Sequence, residues 1–229
     1  GFELDLICSP AARGQDTLAE SGIRVTPRRV RHRLDLPAVM AIRRMLKKRP
    51  YDIIYAPKNS TLSVCLLASA GMRMKRIAYR GTVGHLSHFD PASWLTYLNP
   101  RVDRIVCVSE AVRRYLLSMH LPPERPVTIH KGHDPSWYGA LPPASLSEFG
   151  IPAGAFVVGF VGSIRPVKGV DVLIEAVRLL PPSPPIHVLL VGELRDKRVE
   201  RMAKDERVRD RLHFAGYRDD APAQAGACA

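Results

Sequence analysis

Val157-Val158-Gly159-Phe160-Val161-Gly162-Ser163-Ile164-Arg165-Pro166-Val167-Lys168-Gly169-Val170-Asp171-Val172-Leu173-Ile174-Glu175-Ala176-Val177 is the stretch on which the reading of this chain turns. It reads as a buried strand, a short loop and an amphipathic helix. The loop carries Gly162, Arg165 and Lys168. Two fixed cations thus stand at a helix entrance, where backbone N–H groups already favour an anion. Gly162 permits close backbone approach at the strand end. Arg165 offers a planar fork and Lys168 a point charge, a pairing that suits a diphosphate. The competing reading is an ordinary strand-to-helix loop with solvated cations. The stretch is not a Walker loop, since G-x-x-x-x-G-K-[ST] is absent, and G-x-G-x-x-G is absent too.

Outward from this stretch, short apolar runs alternate with helical patterns. Toward the N-terminus, strands are expected at 2–8, 52–56, 76–79, 104–108 and 126–130. Helices are expected at 37–48, from Asn59 or Ser60 to Ala70, and at 110–119 behind a Ser109 cap. Toward the C-terminus, the expected strands are 156–161, 186–191 and 211–215, and the helices 169–180 and 196–209. A last segment from Asp219 begins like another helix. Nearly all-apolar strands separated by helices indicate parallel sheets covered on both faces. Gly132-His133-Asp134-Pro135 and Leu141-Pro142-Pro143-Ala144 are rich in turn formers. The expected organisation is therefore α/β with two Rossmann-like domains: 1–140, a linker over 141–155, and a second, cut-short domain over 156–229.

Composition narrows the class. The chain has 229 residues, is 46% hydrophobic and carries a net charge of +12. That excess attracts phosphorylated substrates, anionic membrane surfaces or nucleic acid. Its basic clusters, Arg28–Arg33 and Arg43–Arg49, are not interleaved with aromatics, which argues against nucleic acid. No run of about 18 apolar residues exists, and the first residues lack a signal-peptide layout. Cys8, Cys65 and Cys107 lie in apolar runs without C-x-x-C spacing. They read as free thiols of a reducing compartment, and a cytoplasmic location follows. The helix over 37–49 has a basic outer face. It reads as a plain surface helix or as a peripheral contact with anionic lipid at the inner face of the membrane.

Five motifs in order resemble family 4 glycosyltransferases. Gly162…Lys168-Gly169 with Leu173-Ile174 and Ala176 is similar to their Gly-Arg-x-x-x-x-Lys-Gly pattern and its helix. Ser163 stands where the family has arginine, and Arg165 offers the charge two residues later. Val188–Gly192 resembles their next strand and glycine, and Leu212–Tyr217 the strand and turn beside the nucleotide base. Tyr51–Tyr55 and Val102–Val112 resemble two segments of the first domain. The resemblance implies a GT-B fold and transfer of a sugar from a nucleotide-diphosphate donor to a lipid-linked, saccharide or other hydroxyl acceptor. It also implies retention of anomeric configuration and no cofactor or essential metal. The family's Gly-rich first loop and its Glu-x7-Glu pair are not found in this sequence. The chain accordingly reads as a fragment of a longer enzyme, inactive in isolation.

Carried onto this sequence, the resemblance implies catalytic roles for Arg165, Lys168 and His85. Donor-binding roles fall to Gly162, Ser163, Gly192, Glu193, Gly216 and Tyr217. Arg80, Gly81, Thr82 and His88 fall on the acceptor side, with either His85 or His88 meeting the sugar. His130, His133 and Asp134 offer a metal-ligand set whose competing reading, a hinge turn, fits better. Two other readings stay open: an epimerase or phosphorylase on the same fold, and a basic nucleic-acid-binding domain without catalysis.

Overall fold

A computed structural model describes residues 2–12, 14–132, 134, 136, 142–181 and 183–228. The chain divides into two compact units, Gly1–Gly132 and His133–Ala229.

The first unit opens with β1 (Asp5–Cys8), α1 (Gln15–Glu20) and β2 (Arg24–Pro27), whose strands pair in parallel. Next come α2 (Leu36–Lys48), β3 (Ile53–Ala56), α3 (Asn59–Ala68), β4 (Lys75–Arg80), α4 (Pro91–Trp94), β5 (Arg104–Cys107), α5 (Glu110–Ser118) and β6 (Pro126–Thr128). Strands β3 to β6 form one parallel sheet in sequence order. Its core is built by Leu62, Leu66, Ala78, Val102, Ile105, Cys107, Val112 and Leu116. Ser109 caps α5 as expected, its hydroxyl accepting from the Val112 amide at 3.4 Å. Neither Asn59 nor Ser60 caps α3. Lys58 is the cap residue, and its amide donates to Thr61 Oγ1 at 3.1 Å. Asn59 instead accepts from the Tyr97 hydroxyl at 2.9 Å.

The second unit contains β7 (Phe156–Val161), α6 (Val170–Leu179), β8 (Ile186–Val191), α7 (Lys197–Met202), β9 (Leu212–Gly216) and α8 (Ala221–Gly226). Its three strands are parallel in the order β7-β8-β9. Central β8 is buried almost throughout, while β7, expected as a buried strand, is an edge strand that buries only Val157 and exposes Phe156, Gly159 and Val161. Ile164, Val170, Ile174, Val177, Val188, Leu190 and Val199 close one face. The other face is covered by Leu146, Phe149 and Ile151, so part of the segment read as linker packs on this sheet.

Helix α7 stops at Met202, well short of the expected 209. Asp205 ends it: its carboxylate accepts from the Arg207 amide at 3.0 Å, and its carbonyl from Val208 and Arg209. Local side-chain bonding of this kind competes with helix continuation. The Arg207 hydrogen bonds hold the Asp205 carboxyl down to about 2.

Candidate functional site

The C-terminal ends of three parallel strands lie at one edge of their sheet, and in doubly wound folds this edge receives ligands. In the second unit this edge is built almost entirely by backbone bonding. The Gly162 amide donates to Val191 O at 2.8 Å, and the Gly192 amide to Gly216 O at 2.7 Å. A register shift after Leu190 sets Val191 opposite Gly216 and leaves Ala215 bulged. Beyond the strands, the Ile164 amide donates to Glu193 O and the Arg195 amide to Ile164 O, each at 2.9 Å. The loops after β7 and β8 are thus zipped together, with the Ile164 side chain fully buried beneath them.

Gly192 has a strict steric role. Its φ is 145°, and a Cβ there would lie 2.0 Å from the Gly162 carbonyl oxygen. Any side chain at this position would force the two strand ends apart.

This zipped frame fixes where the cations stand. Arg165 is extended (φ −132°, ψ 157°), a single 3-10 turn covers Pro166–Lys168, and Gly169 turns left-handed (φ 69°) into α6. Helix α6 has no side-chain cap; the Val172 amide donates to Gly169 O at 3.1 Å, and among the described residues the Val170 and Asp171 amides stay open. Arg165 and Lys168 are exposed, and neither side chain has an ion-pair or hydrogen-bond partner among the described residues. Two unengaged cations therefore flank an uncapped helix start. Ser163 is half-buried in the same loop, and Tyr217 lies largely exposed past β9. Glu193 pairs with Arg195 at 2.5 Å, and that hydrogen bond keeps its carboxyl below the usual glutamate range. The structure thus brings Gly162, Ser163, Arg165, Lys168, Gly192, Glu193 and Gly216 together at one edge.

The corresponding edge of the first unit is arranged differently. Arg80, the last residue of β4, is 5% exposed. Its guanidinium lies 4.6 Å from the Tyr97 ring centre and 5.5 Å from that of Tyr115. It is thus enclosed rather than offered to an acceptor. Gly81, Thr82 and His85 follow on an exposed loop. His85 has a left-handed backbone (φ 65°), which is uncommon for a residue with a side chain.

His88 does not join them. Its Nε2 lies 3.1 Å from Met119 O, and its ring packs edge-on against Trp94 at 5.8 Å. Helix α5 runs back from the strand ends, so Met119 stands toward the opposite edge of the sheet. Of the two histidines, His85 is the one whose side chain has no partner among the described residues.

His133 lies outside the described residues, while Asp134 accepts from the Ser136 amide at 2.9 Å. Among the described residues no group of three or more His, Cys, Asp or Glu is placed to hold a metal ion. Nor is any of their helices long and apolar enough to cross a membrane. On the basic helix α2, Arg43 is occupied internally, donating to Ala68 O and Ala70 O at 2.9 Å each.

Comparison with known proteins places this architecture. Residues 1–137 match the sequence model of Glycosyltransferase Family 4, and residues 144–225 that of Glycosyl transferases group 1. The D-inositol 3-phosphate glycosyltransferase of Kineococcus radiotolerans is 36% identical over 77 residues, 32% of this chain and 18% of that protein. The enzyme of the same name from Mycolicibacterium gilvum is 34% identical over 92 residues, 39% of this chain and 20% of that protein. The matches thus span about a fifth of those relatives' length. Among solved structures, Anabaena HepE in complex with UDP-glucose superposes with a TM-score of 0.78 at 23% identity, covering 98% of this chain and 64% of that one. Sucrose-phosphate synthase from Thermosynechococcus elongatus gives 0.75 at 17% identity, covering 100% and 64%. These likenesses agree with the Rossmann-like GT-B class expected from the sequence. The chain belongs to glycosyltransferase family 4.

Proposed function

We propose that the protein to which these residues belong transfers a hexose from a nucleotide-diphosphate sugar to a hydroxyl acceptor, with retention of anomeric configuration. One observation carries the reading: Arg165 and Lys168 stand unengaged beside the uncapped start of α6. Placed there, they meet the diphosphate and stabilise the negative charge that grows on it as the glycosidic bond breaks. The crystallised HepE holds UDP-glucose, which supports a nucleotide-sugar donor for this relative too.

The remaining parts follow from position. Gly162, Ser163, Gly192 and Gly216 line the donor edge with backbone, where a ligand approaches closely. Glu193 stands near the ribose, and Tyr217 beside the base. On the acceptor side, Gly81 and Thr82 form the loop wall, and His85 offers a hydrogen bond to a sugar hydroxyl. The two cations take the part that a divalent ion plays in metal-dependent transfer. The reading is therefore metal-independent, and EDTA is expected to leave turnover unchanged. Four unpaired cysteines fit a reducing compartment, and we place the reaction in the cytoplasm.

The test is a donor assay on the full-length protein with UDP-glucose and the other common nucleotide sugars, with and without an acceptor mixture. Acceptor-dependent release of nucleoside diphosphate is expected, and Lys168→Ala abolishes most of it. Conversion of the donor sugar without acceptor would point to an epimerase instead. Release that Lys168→Ala leaves unchanged would remove the phosphate-clamp assignment.

A further inference from the structure

Arg80 is a buried cation with no acidic partner, and its surroundings explain what it is for. Among the described residues no carboxylate pairs with it, and its Nε has no acceptor. Buried charges are ordinarily paired, because desolvation disfavours a lone one. Here the faces of Tyr97 and Tyr115 supply part of the compensation. Burial pushes the Tyr97 phenol up, with Arg80 opposing that shift, so the ring beside the guanidinium stays neutral. An apolar side chain would fill this space without the desolvation cost, so the arginine serves something other than packing.

Its hydrogen bond identifies the service. Arg80 Nη2 donates to the carbonyl of Gly84, immediately before His85. On the other side, the Leu86 amide donates to the Tyr115 hydroxyl at 3.0 Å. The stacked pair Arg80–Tyr115 therefore holds the backbone on both flanks of the one residue in this loop with a side chain and a positive φ. Left-handed conformations of such residues persist where the surroundings over-determine them. Tyr97 is anchored in turn, its hydroxyl lying 2.8 Å from Tyr79 O and 2.9 Å from Asn59 Oδ1.

We propose that Arg80 is a positioning residue: with Tyr115 it clamps Gly84 and Leu86, and so holds the His85 imidazole at the strand ends for the acceptor sugar. The catalytic part of this inference rests on the sugar-transfer reading above. The clamp itself does not.

The experiment uses the full-length protein and the variants Arg80→Met, Tyr115→Phe, His85→Ala and Arg80→Met/His85→Ala. Amide hydrogen exchange reads the clamp without any assay of activity. Arg80→Met is expected to speed exchange at Leu86 at least tenfold and leave Ile105–Cys107 unchanged. Unaltered exchange at Leu86 would overturn the clamp. Release of UDP from UDP-glucose reads the consequence. Arg80→Met is expected to lower kcat about tenfold with donor KM unchanged, and to add nothing once His85 is alanine. Effects that multiply in the double variant would show that Arg80 acts independently of His85, against the proposal. Should Arg80→Met fail to fold, Tyr115→Phe keeps the ring, loses only the hydroxyl, and must show the same split of kcat from KM. If His85→Ala leaves turnover intact, the acceptor role of His85 fails while the exchange result still decides the clamp.

Discussion

The two sheet edges handle arginine in opposite ways. At the end of β7, Arg165 and Lys168 stand in solvent on a frame of backbone hydrogen bonds, with no partner among the described residues. At the end of β4, Arg80 is folded beneath two tyrosines and bonds the protein's own backbone. Similar chemistry at equivalent places of two parallel sheets thus does two jobs. On the readings proposed above, the exposed cations receive an anion, while the enclosed cation shapes a loop. Charge alone does not separate these cases, but burial and the identity of the hydrogen-bond acceptor do.

This contrast can be broken at several points. The largest expected effect belongs to Lys168→Ala, which should lower turnover of the full-length enzyme by about 10²–10³-fold, or about 3–4 kcal/mol of transition-state stabilisation. Its thermal midpoint should stay at the wild-type value, because Lys168 is exposed and unpaired among the described residues. A matching loss of stability would mean that the lysine is structural after all.

Next comes Gly192→Ala. The added methyl would meet the Gly162 carbonyl at 2.0 Å, on a backbone with φ of 145°. A loss of about 2–4 kcal/mol in denaturant unfolding is expected. Stability within 0.5 kcal/mol (roughly the scatter of surface substitutions) would show that the two loops are not zipped as described.

His85→Ala sharpens the first-unit side of the comparison. Turnover should fall about tenfold to a hundredfold through lost orientation of the acceptor. Stability should hold, since alanine removes nothing buried and keeps a Cβ on the same left-handed backbone. His88→Ala serves as its control and should leave turnover alone, because its ring is engaged with Met119 and Trp94.

The smallest effect is one of pH. His187 and His213 are neighbours on β8 and β9, with ring nitrogens 2.9 Å apart, and His213 Nδ1 lies 2.7 Å from Phe149 O. Burial first, then the charges of His213 and Arg211, push the His187 pKa down. Below about pH 6.5 the unfolded chain takes up a proton at this position that the folded chain declines. Stability should therefore fall as pH drops through 6.5 and level off below the lowered folded value. Denaturant midpoints at pH 7.5 and 5.5 check this, and His187→Gln should flatten the slope.

Much of this molecule was legible in its sequence, and the failures have physical causes. Strands β4, β5, β7 and β8 announce themselves as apolar runs, and α2, α5 and α6 as periodic stripes. Helix α1 buries no residue and β2 is largely exposed, so neither leaves a hydrophobic signal. Helix α4 is a four-residue turn capped by Asp90, too short to show a period. The shortening of α7 came from Asp205 bonding its own neighbourhood, a local competition that periodicity does not report. At the second-unit edge, glycines and cations sit within single loops, so their grouping could be read directly. At the first-unit edge, the rings that enclose Arg80, Tyr97 and Tyr115, and the Met119 carbonyl beside His88 lie well along the chain, after α4 and at the end of α5. Only packing tells that one is enclosed and the other turned away.

The most direct test is calorimetric titration of the full-length protein with UDP, GDP, ADP and dTDP, alongside the Arg165→Ala/Lys168→Ala variant. If the exposed cations hold a diphosphate, the tightest of the four should bind the variant at least a hundredfold more weakly, while the corresponding free nucleoside binds both proteins equally. Equal affinity of the diphosphate for wild type and variant would contradict the assignment of this edge as the donor site.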